Sequence, residues 1–232
     1  TVDPAPNITG ITFTAASFVY DGSPKLLAIT GTLPAGVTIS YTGNGQTNAG
    51  TYTVTANISG GTNYQDQVLT ATLTISKIPI TGISFAGANY VYDGTTRSLA
   101  IGGTLPAGAT VSYTNNSKTA AGTHTVTANI NGGANYQDQS LTAQLAIAKV
   151  PLTITASNAS MCQGANLPTF TVNYSGFIAG ETESSLSTRP NVSTTANSSS
   201  AAGNYVITPS GAIANNYEIT YVNATLTINP LP

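Results

Sequence analysis

Apolar and polar residues alternate along this chain with a period of two. Thr51 to Ile58 reads Thr-Tyr-Thr-Val-Thr-Ala-Asn-Ile, which puts Tyr52, Val54, Ala56 and Ile58 on one face and Thr51, Thr53, Thr55 and Asn57 on the other. Val37 to Tyr41 and Ala71 to Ile75 alternate in the same way. Between such segments lie clusters of Gly, Pro and Asn, which end strands and supply turn conformations. The pattern predicts strands with one buried and one wet face, separated by turns about every ten residues, as in an antiparallel β domain. No stretch carries a capped apolar period of 3.6; the best helical candidate is a short turn within Glu181 to Leu186.

The pattern also recurs. Tyr20-Asp21-Gly22 returns as Tyr92-Asp93-Gly94, Leu33-Pro34-Ala35-Gly36 as Leu105-Pro106-Ala107-Gly108, and Asn63-Tyr64-Gln65-Asp66-Gln67 as Asn135-Tyr136-Gln137-Asp138-Gln139. Gly10 to Pro79 and Gly82 to Pro151 align without a gap and are identical at roughly two-thirds of positions, which marks a recent duplication. From Pro151 onward the unit diverges but keeps a skeleton: Ala202-Gly203-Asn204-Tyr205 matches Ala49-Gly50-Thr51-Tyr52, Tyr217 matches Tyr64, and Thr225 to Ile228 matches Thr72 to Ile75. This third unit is longer by about eleven residues, placed in Ser175 to Pro190. The sequence therefore predicts three tandem small antiparallel β domains, each a β-sandwich or β-grasp-like, in an elongated array. They cover residues 1–78, 79–150 and 151–232, with Pro79 and Pro151 stiffening the links.

Composition narrows the function. Charged residues make up 6% of the chain against about 25% in an ordinary protein, so solubility rests on hydroxyl and amide groups. Six Lys and Arg with a net charge of -2 give no footprint for nucleic acid. One Cys and one His support neither an internal disulfide nor a His-based metal site. No apolar run approaches the roughly 20 residues of a membrane-spanning helix.

Few residues invite a chemical reading. Asp21 and Asp93, each in Tyr-Asp-Gly, fit a tight hairpin turn whose two central residues both take positive φ. With Asp66 and Asp138 they stand alone in sequence, short of the clustered oxygen ligands that calcium needs. Glu181 and Glu183 lie two apart like a carboxylate pair of a glycosidase, but a small unit without Trp lacks the platforms and cleft of such an enzyme, and a solvated loop is the plainer reading. No catalytic residue, cofactor or metal site is expected. Cys162 aligns with Tyr20 and Tyr92 and is expected to pack half-buried. Tyrosine supplies 12 of the 17 aromatic residues at matching positions in successive units, which favours rings buried with hydroxyls at the rim. The Ala-Gly pair at Gly50, Gly122 and Gly203 reads as a turn whose glycine takes positive φ. Any ligand binding is expected in the third-unit insertion, through Glu181, Glu183 and Arg189.

Taken together, these motifs resemble the MBG domains that occur in tandem in large bacterial cell-surface and secreted proteins. In the first two units the resemblance rests on Tyr-Asp-Gly, Leu-Pro-Ala-Gly, Ala-Gly-Thr-Tyr/His-Thr-Val-Thr-Ala and Asn-Tyr. In the third it rests on Leu152 to Ala156, Tyr174 to Phe177, Gly180 to Glu183 and Asn216 to Tyr221, and the usual Tyr-Gly pair is replaced by Cys162-Gln163-Gly164. The resemblance implies an extracellular, non-catalytic all-β repeat used in surface stalks and adhesin-like proteins. The partners it implies are the other domains of a larger surface protein. The competing reading is a module that binds carbohydrate or a host protein through exposed Tyr and the third-unit insertion.

Overall fold

The computed structural model describes residues 5–231. The chain divides into two units. One takes the residues up to Ser84 with Gly102–Ser112 and Ala128–Leu141. The other takes Phe85–Ile101, Tyr113–Thr127 and everything from Thr142 onward.

The first repeat carries β1 (Ile11–Thr12), β2 (Ala16–Val19), β3 (Thr30–Gly31), β4 (Thr38–Thr42), β5 (Gly50–Ser59) and β6 (Gln67–Ser76). The second carries β7 (Ala88–Val91), β8 (Thr110–Thr114), β9 (Gly122–Asn131) and β10 (Gln139–Ala148). The third carries β11 (Val150–Ala156), β12 (Ala159–Cys162), β13 (Val172–Ser175), β14 (Asn191–Thr194), β15 (Gly203–Ser210), β16 (Tyr217–Val222) and β17 (Ala224–Asn229). The division between the two units runs through β8, β9 and β10.

Each repeat builds the same four-stranded sheet, in the orders β2-β6-β5-β4, β7-β10-β9-β8 and β12-β17-β15-β14. The alternation in β5 does what the sequence implies: Val54, Ala56 and Ile58 are buried, and β6 lines the same face with Ala71, opposite Val54, and with Leu73 and Ile75. The wet face of this hairpin is a ladder of threonines, with Thr51 opposite Thr74, Thr53 opposite Thr72 and Thr55 opposite Thr70. Cross-strand β-branched pairs of this kind suit a pleated surface open to water.

The all-β expectation holds, with one amendment to its antiparallel form. The long hairpins are antiparallel, but the first edge strand of each sheet lies parallel to its neighbour: β2 on β6, β7 on β10 and β12 on β17. Alternation reports which face a residue takes and is blind to strand direction. These edge strands reach their partners across most of the repeat, so no tight turn dictates the pairing.

In the third repeat a second sheet, β13-β11-β16, completes a two-layer sandwich. Among the described residues the first repeat has the β1-β3 pair in that place, and the second two isolated bridges, Ser84 with Gly102 and Ile78 with Tyr136. Among the described residues the only helical segment is a 3-10 turn at Glu183–Ser185, inside the stretch where the sequence allowed one, so the helix of a β-grasp has no counterpart.

Three local expectations are corrected. Asp21-Gly22 is not a two-residue hairpin, because only Gly22 has positive φ (81°) and Asp21 instead accepts the Ser23 N–H at 2.8 Å, closing an Asx turn. Cys162 is exposed. It pairs with Asn229 as Val19 pairs with Ser76 and Val91 with Ala148, so it fills the outward Val19 and Val91 slot while Met161 points inward. The slot of Tyr20 and Tyr92 goes to Gln163, whose N–H bonds Asn229 O at 2.9 Å as theirs bond Ser76 O and Ala148 O at 3.0 and 2.9 Å. Finally, the positive φ expected at the Ala-Gly pair is found at Gly122 (147°) and Gly203 (153°) but not at Gly50, where a Cβ would stand 2.9 Å from the Tyr52 hydroxyl that folds back over it.

Candidate functional site

The third-repeat insertion separates β13 from β14 by residues 176–190, where the first repeat spans from β3 to β4 with residues 32–37. It opens at Gly176 (φ 116°), whose missing side chain lets the Pro151 carbonyl approach; a Cβ would meet that oxygen at 2.3 Å. Phe177 then lays its ring edge-on to Tyr217 at 5.3 Å and tilted against Tyr174 at 5.5 Å. The Thr182 side chain caps the 3-10 turn, Leu186 is buried, and Ser187 N–H bonds Ile213 O at 2.8 Å. The segment is anchored at both ends and in its middle.

Its charged residues are all partnered. Glu181 accepts the Tyr92 hydroxyl on Oε1 and the Tyr217 hydroxyl on Oε2, both at 2.5 Å, while Tyr217 Oη also accepts the Ile178 N–H at 3.2 Å. Burial works against the ionised Glu181, but the bonds from Tyr217 and Tyr92 outweigh it and hold its carboxyl below the usual glutamate value. The same contacts act in reverse on the phenols. The bond to Glu181, then burial, raises Tyr92, and burial followed by that bond pushes Tyr217 up to about 12. Arg189 pairs with Glu183 at 3.2 Å on the surface. The structure thus brings Glu183 and Arg189 together and commits Glu181 elsewhere. A shallow concavity of about 470 Å³, lined by Tyr174, Phe177, Glu181 and Glu183 among others, lies alongside.

Tyr92 belongs to the second repeat, so Glu181 spans a junction between repeats. That junction has a hydrophobic core of its own, where Tyr92 and Ile147 of the second repeat pack with Leu152, Ile154, Leu186, Ala214 and Tyr217 of the third. Beside it Asn216 makes two bonds: Oδ1 accepts the Ala121 N–H at 2.9 Å, and its backbone carbonyl accepts the Val150 N–H at 3.0 Å. The first junction repeats this plan. Asn135 Oδ1 accepts the Ala49 N–H at 2.8 Å, Asn135 O accepts the Ile78 N–H at 3.1 Å, and Tyr20 meets Tyr136 edge-on at 5.9 Å, the separation of Tyr92 from Tyr217. The second adds the Glu181 carboxylate and the Phe177 ring on Tyr217, and the first adds a bond from Asn135 Nδ2 to Asn48 Oδ1 at 3.1 Å. In sequence Asn-Tyr aligns the repeats without revealing this work; its presence in all three, next to no catalytic partner, is the available signal.

Asp21, Asp66, Asp93 and Asp138 shape loops. Asp66 and Asp138 accept the Gly60 and Gly132 N–H groups at 2.8 and 2.9 Å. Asp21 pairs with Lys25, and Asp93 with Arg97, which lies 4.6 Å from the Tyr90 ring centroid. Hydrogen bonding lowers both pKa values, chiefly from Lys25 at Asp21 and from Thr95 at Asp93. Tyrosine hydroxyls also serve the backbone: Tyr52 Oη donates to Asn48 O at 2.9 Å and Tyr205 Oη to Ala201 O at 3.0 Å. In the second repeat His124 takes that place, with Nε2 at 3.3 Å from Ala120 O. Among the described residues no three His, Cys, Asp or Glu side chains gather where they could hold a metal ion, and no helix is long and apolar enough to cross a membrane.

No curated protein matches the chain. Among solved structures it is similar to an I-band fragment, I67-I69, of titin, at 12% identity and a TM-score of 0.30 over 97% of this chain and 100% of that one. It is similar also to Drosophila N-cadherin EC1-3, at 10% identity and a TM-score of 0.34 over 99% of each. Sidekick-1 immunoglobulin domains 1-5 align at 10% identity and a TM-score of 0.33, over 96% of this chain and 60% of theirs. The informative match is to a family: residues 152–227 fit the model of the MBG domain, YGX type. The matched stretch takes in both Glu181 and the Asn216-Tyr217 pair of the second junction.

Proposed function

We propose that the chain is a non-catalytic spacer in a bacterial cell-surface or secreted adhesin-like protein, with residues 1–78, 79–150 and 151–232 as successive domains. The observation that carries this reading is the junction built twice from the same parts: an asparagine side chain on an Ala-Gly amide, a backbone bond to the linking residue, and an edge-to-face tyrosine pair. Nearest-neighbour contacts of one kind are how serial repeats gain stiffness without long-range packing. The family match of the third repeat supports the same reading. The test is nitrogen-15 relaxation at Val54, Val126 and Ile207, one core amide per repeat. A stiff spacer gives a shared tumbling time, whereas three short, separate times overturn it. Surface placement is tested with an antibody to the third repeat, which should label intact cells of the source bacterium; labelling only after lysis sinks that part.

A second reading, binding of glycan or host protein beside the insertion, is favoured by the concavity at Tyr174 and Phe177. A glycan array separates the two, because a spacer gives no selective signal and a binding module gives one that is lost in Phe177→Ala.

A further inference from the structure

The face that the second and third repeats turn toward their predecessor has a third copy in this chain. Asn63 and Tyr64 stand in the first repeat where Asn135-Tyr136 and Asn216-Tyr217 stand in the others. Their frame is already in place. Tyr64 N–H bonds Gly60 O at 3.2 Å as Tyr136 N–H bonds Gly132 O at 3.2 Å, and Gln65 N–H bonds Pro6 O at 3.1 Å as Gln137 N–H bonds Ile78 O at 2.9 Å. The Asp66 bond to Gly60 repeats the Asp138 bond to Gly132. Only the occupant differs. Among the described residues nothing bonds the Asn63 side chain and no ring meets Tyr64; Asn63 is exposed, while Asn135 and Asn216 are partly buried.

We infer that Asn63 and Tyr64 form the acceptor half of a further junction. Its occupant is another repeat of this kind in series with the first, giving an Ala-Gly N–H to Asn63 Oδ1 and the ring of a Tyr-Asp-Gly to Tyr64. The matching donors on this chain, Ala49 with Tyr20 and Ala121 with Tyr92, are both engaged. The third repeat offers Gln163 where the ring is needed, so a second copy of the whole chain is the poorer fit. The inference deepens the spacer reading and rests on it.

The test is the full chain with residues 7–78 duplicated directly after Ile78, which places an outer Tyr20 and Ala49 against the Asn63 and Tyr64 of the inserted copy. Hydrogen exchange at the outer Ala49 amide is the readout. Asn63→Ala in the inserted copy is expected to speed it about tenfold, as loss of a side-chain acceptor opens a local bond. Asn63→Asp, which keeps an acceptor oxygen, should leave it slow, and Asn63→Ala in the outer copy should do nothing. If the outer Ala49 ignores the inserted Asn63 while Asn135→Ala still releases the inserted Ala49, this inference falls and the spacer reading stands. If Asn135→Ala releases nothing either, both fall. If instead the unduplicated chain pairs head to tail and loses that pairing in Asn63→Ala, the occupant is a second copy and the serial assignment is overturned.

Discussion

The hydroxyl of Tyr92 donates to Oε1 of Glu181 across 89 positions of chain, joining the second repeat to the insertion of the third. A bond to an ionised acceptor at a partly buried site is stronger than a neutral one. Tyr92→Phe should therefore lower stability by about 1–2 kcal/mol, read from denaturant midpoints. Tyr20→Phe should cost far less, because the first junction holds the Tyr20 ring against Tyr136 without a carboxylate on its hydroxyl. Equal losses would show that the Glu181 bond contributes nothing.

The clamp also fixes a pH dependence. Glu181 has a lowered pKa in the folded chain, so its contribution is present above the ordinary value of 4.5 and fades as pH falls through the lower folded value. Tyr217 has a raised one, so its contribution is complete below 10 and is lost as pH climbs through about 12. Thermal melts should drop at both extremes, and Glu181→Gln should flatten the acid side. An unchanged acid limb in Glu181→Gln would remove Glu181 from the account.

Glycine sensitivity should follow close backbone approach rather than the Ala-Gly motif. A Cβ on Gly103 would stand 2.2 Å from Gly82 O and one on Gly176 2.3 Å from Pro151 O, both at positive φ. Gly103→Ala and Gly176→Ala should each cost about 1–3 kcal/mol, as overpacking against backbone does. At Gly50 the obstacle is the far end of the Tyr52 ring, which can swing aside at the cost of its bond to Asn48 O. Gly50→Ala should thus be milder than Gly176→Ala, and the reverse order would show that Tyr52 cannot move.

Cys162 should react with a maleimide in the native protein at the rate of an open thiol, since it lies exposed on an edge strand. Cys162→Val should stay within about 0.5 kcal/mol of the parent, because its slot holds Val19 and Val91 in the sister repeats. Protection of the thiol until unfolding would contradict the assigned register.

Much of this is legible in the sequence. Val54, Ala56 and Ile58 go inward because a period of two leaves no other face for them, and the insertion shows as a length difference and a knot of charge. What escapes depends on distance along the chain or on a register of one residue. Glu181 is marked in sequence by its neighbour Glu183, yet its partners are Tyr92 and Tyr217. Cys162 falls one position out of register because a gapped alignment cannot see that Met161, paired with Ile228, holds the inward place. The parallel edge strands escape for the same reason, since no turn announces them.

The threonine ladder on β5 and β6 has a bearing on where such a molecule can work. Its wet face meets water through neutral hydroxyls, and the whole chain has only 14 ionisable Lys, Arg, Asp and Glu side chains. Dissolved ions act on a fold by screening its charges, with a reach near 10 Å at 0.1 M that shrinks as concentration rises. A surface with so little to screen keeps much the same electrostatic balance from fresh water to brine.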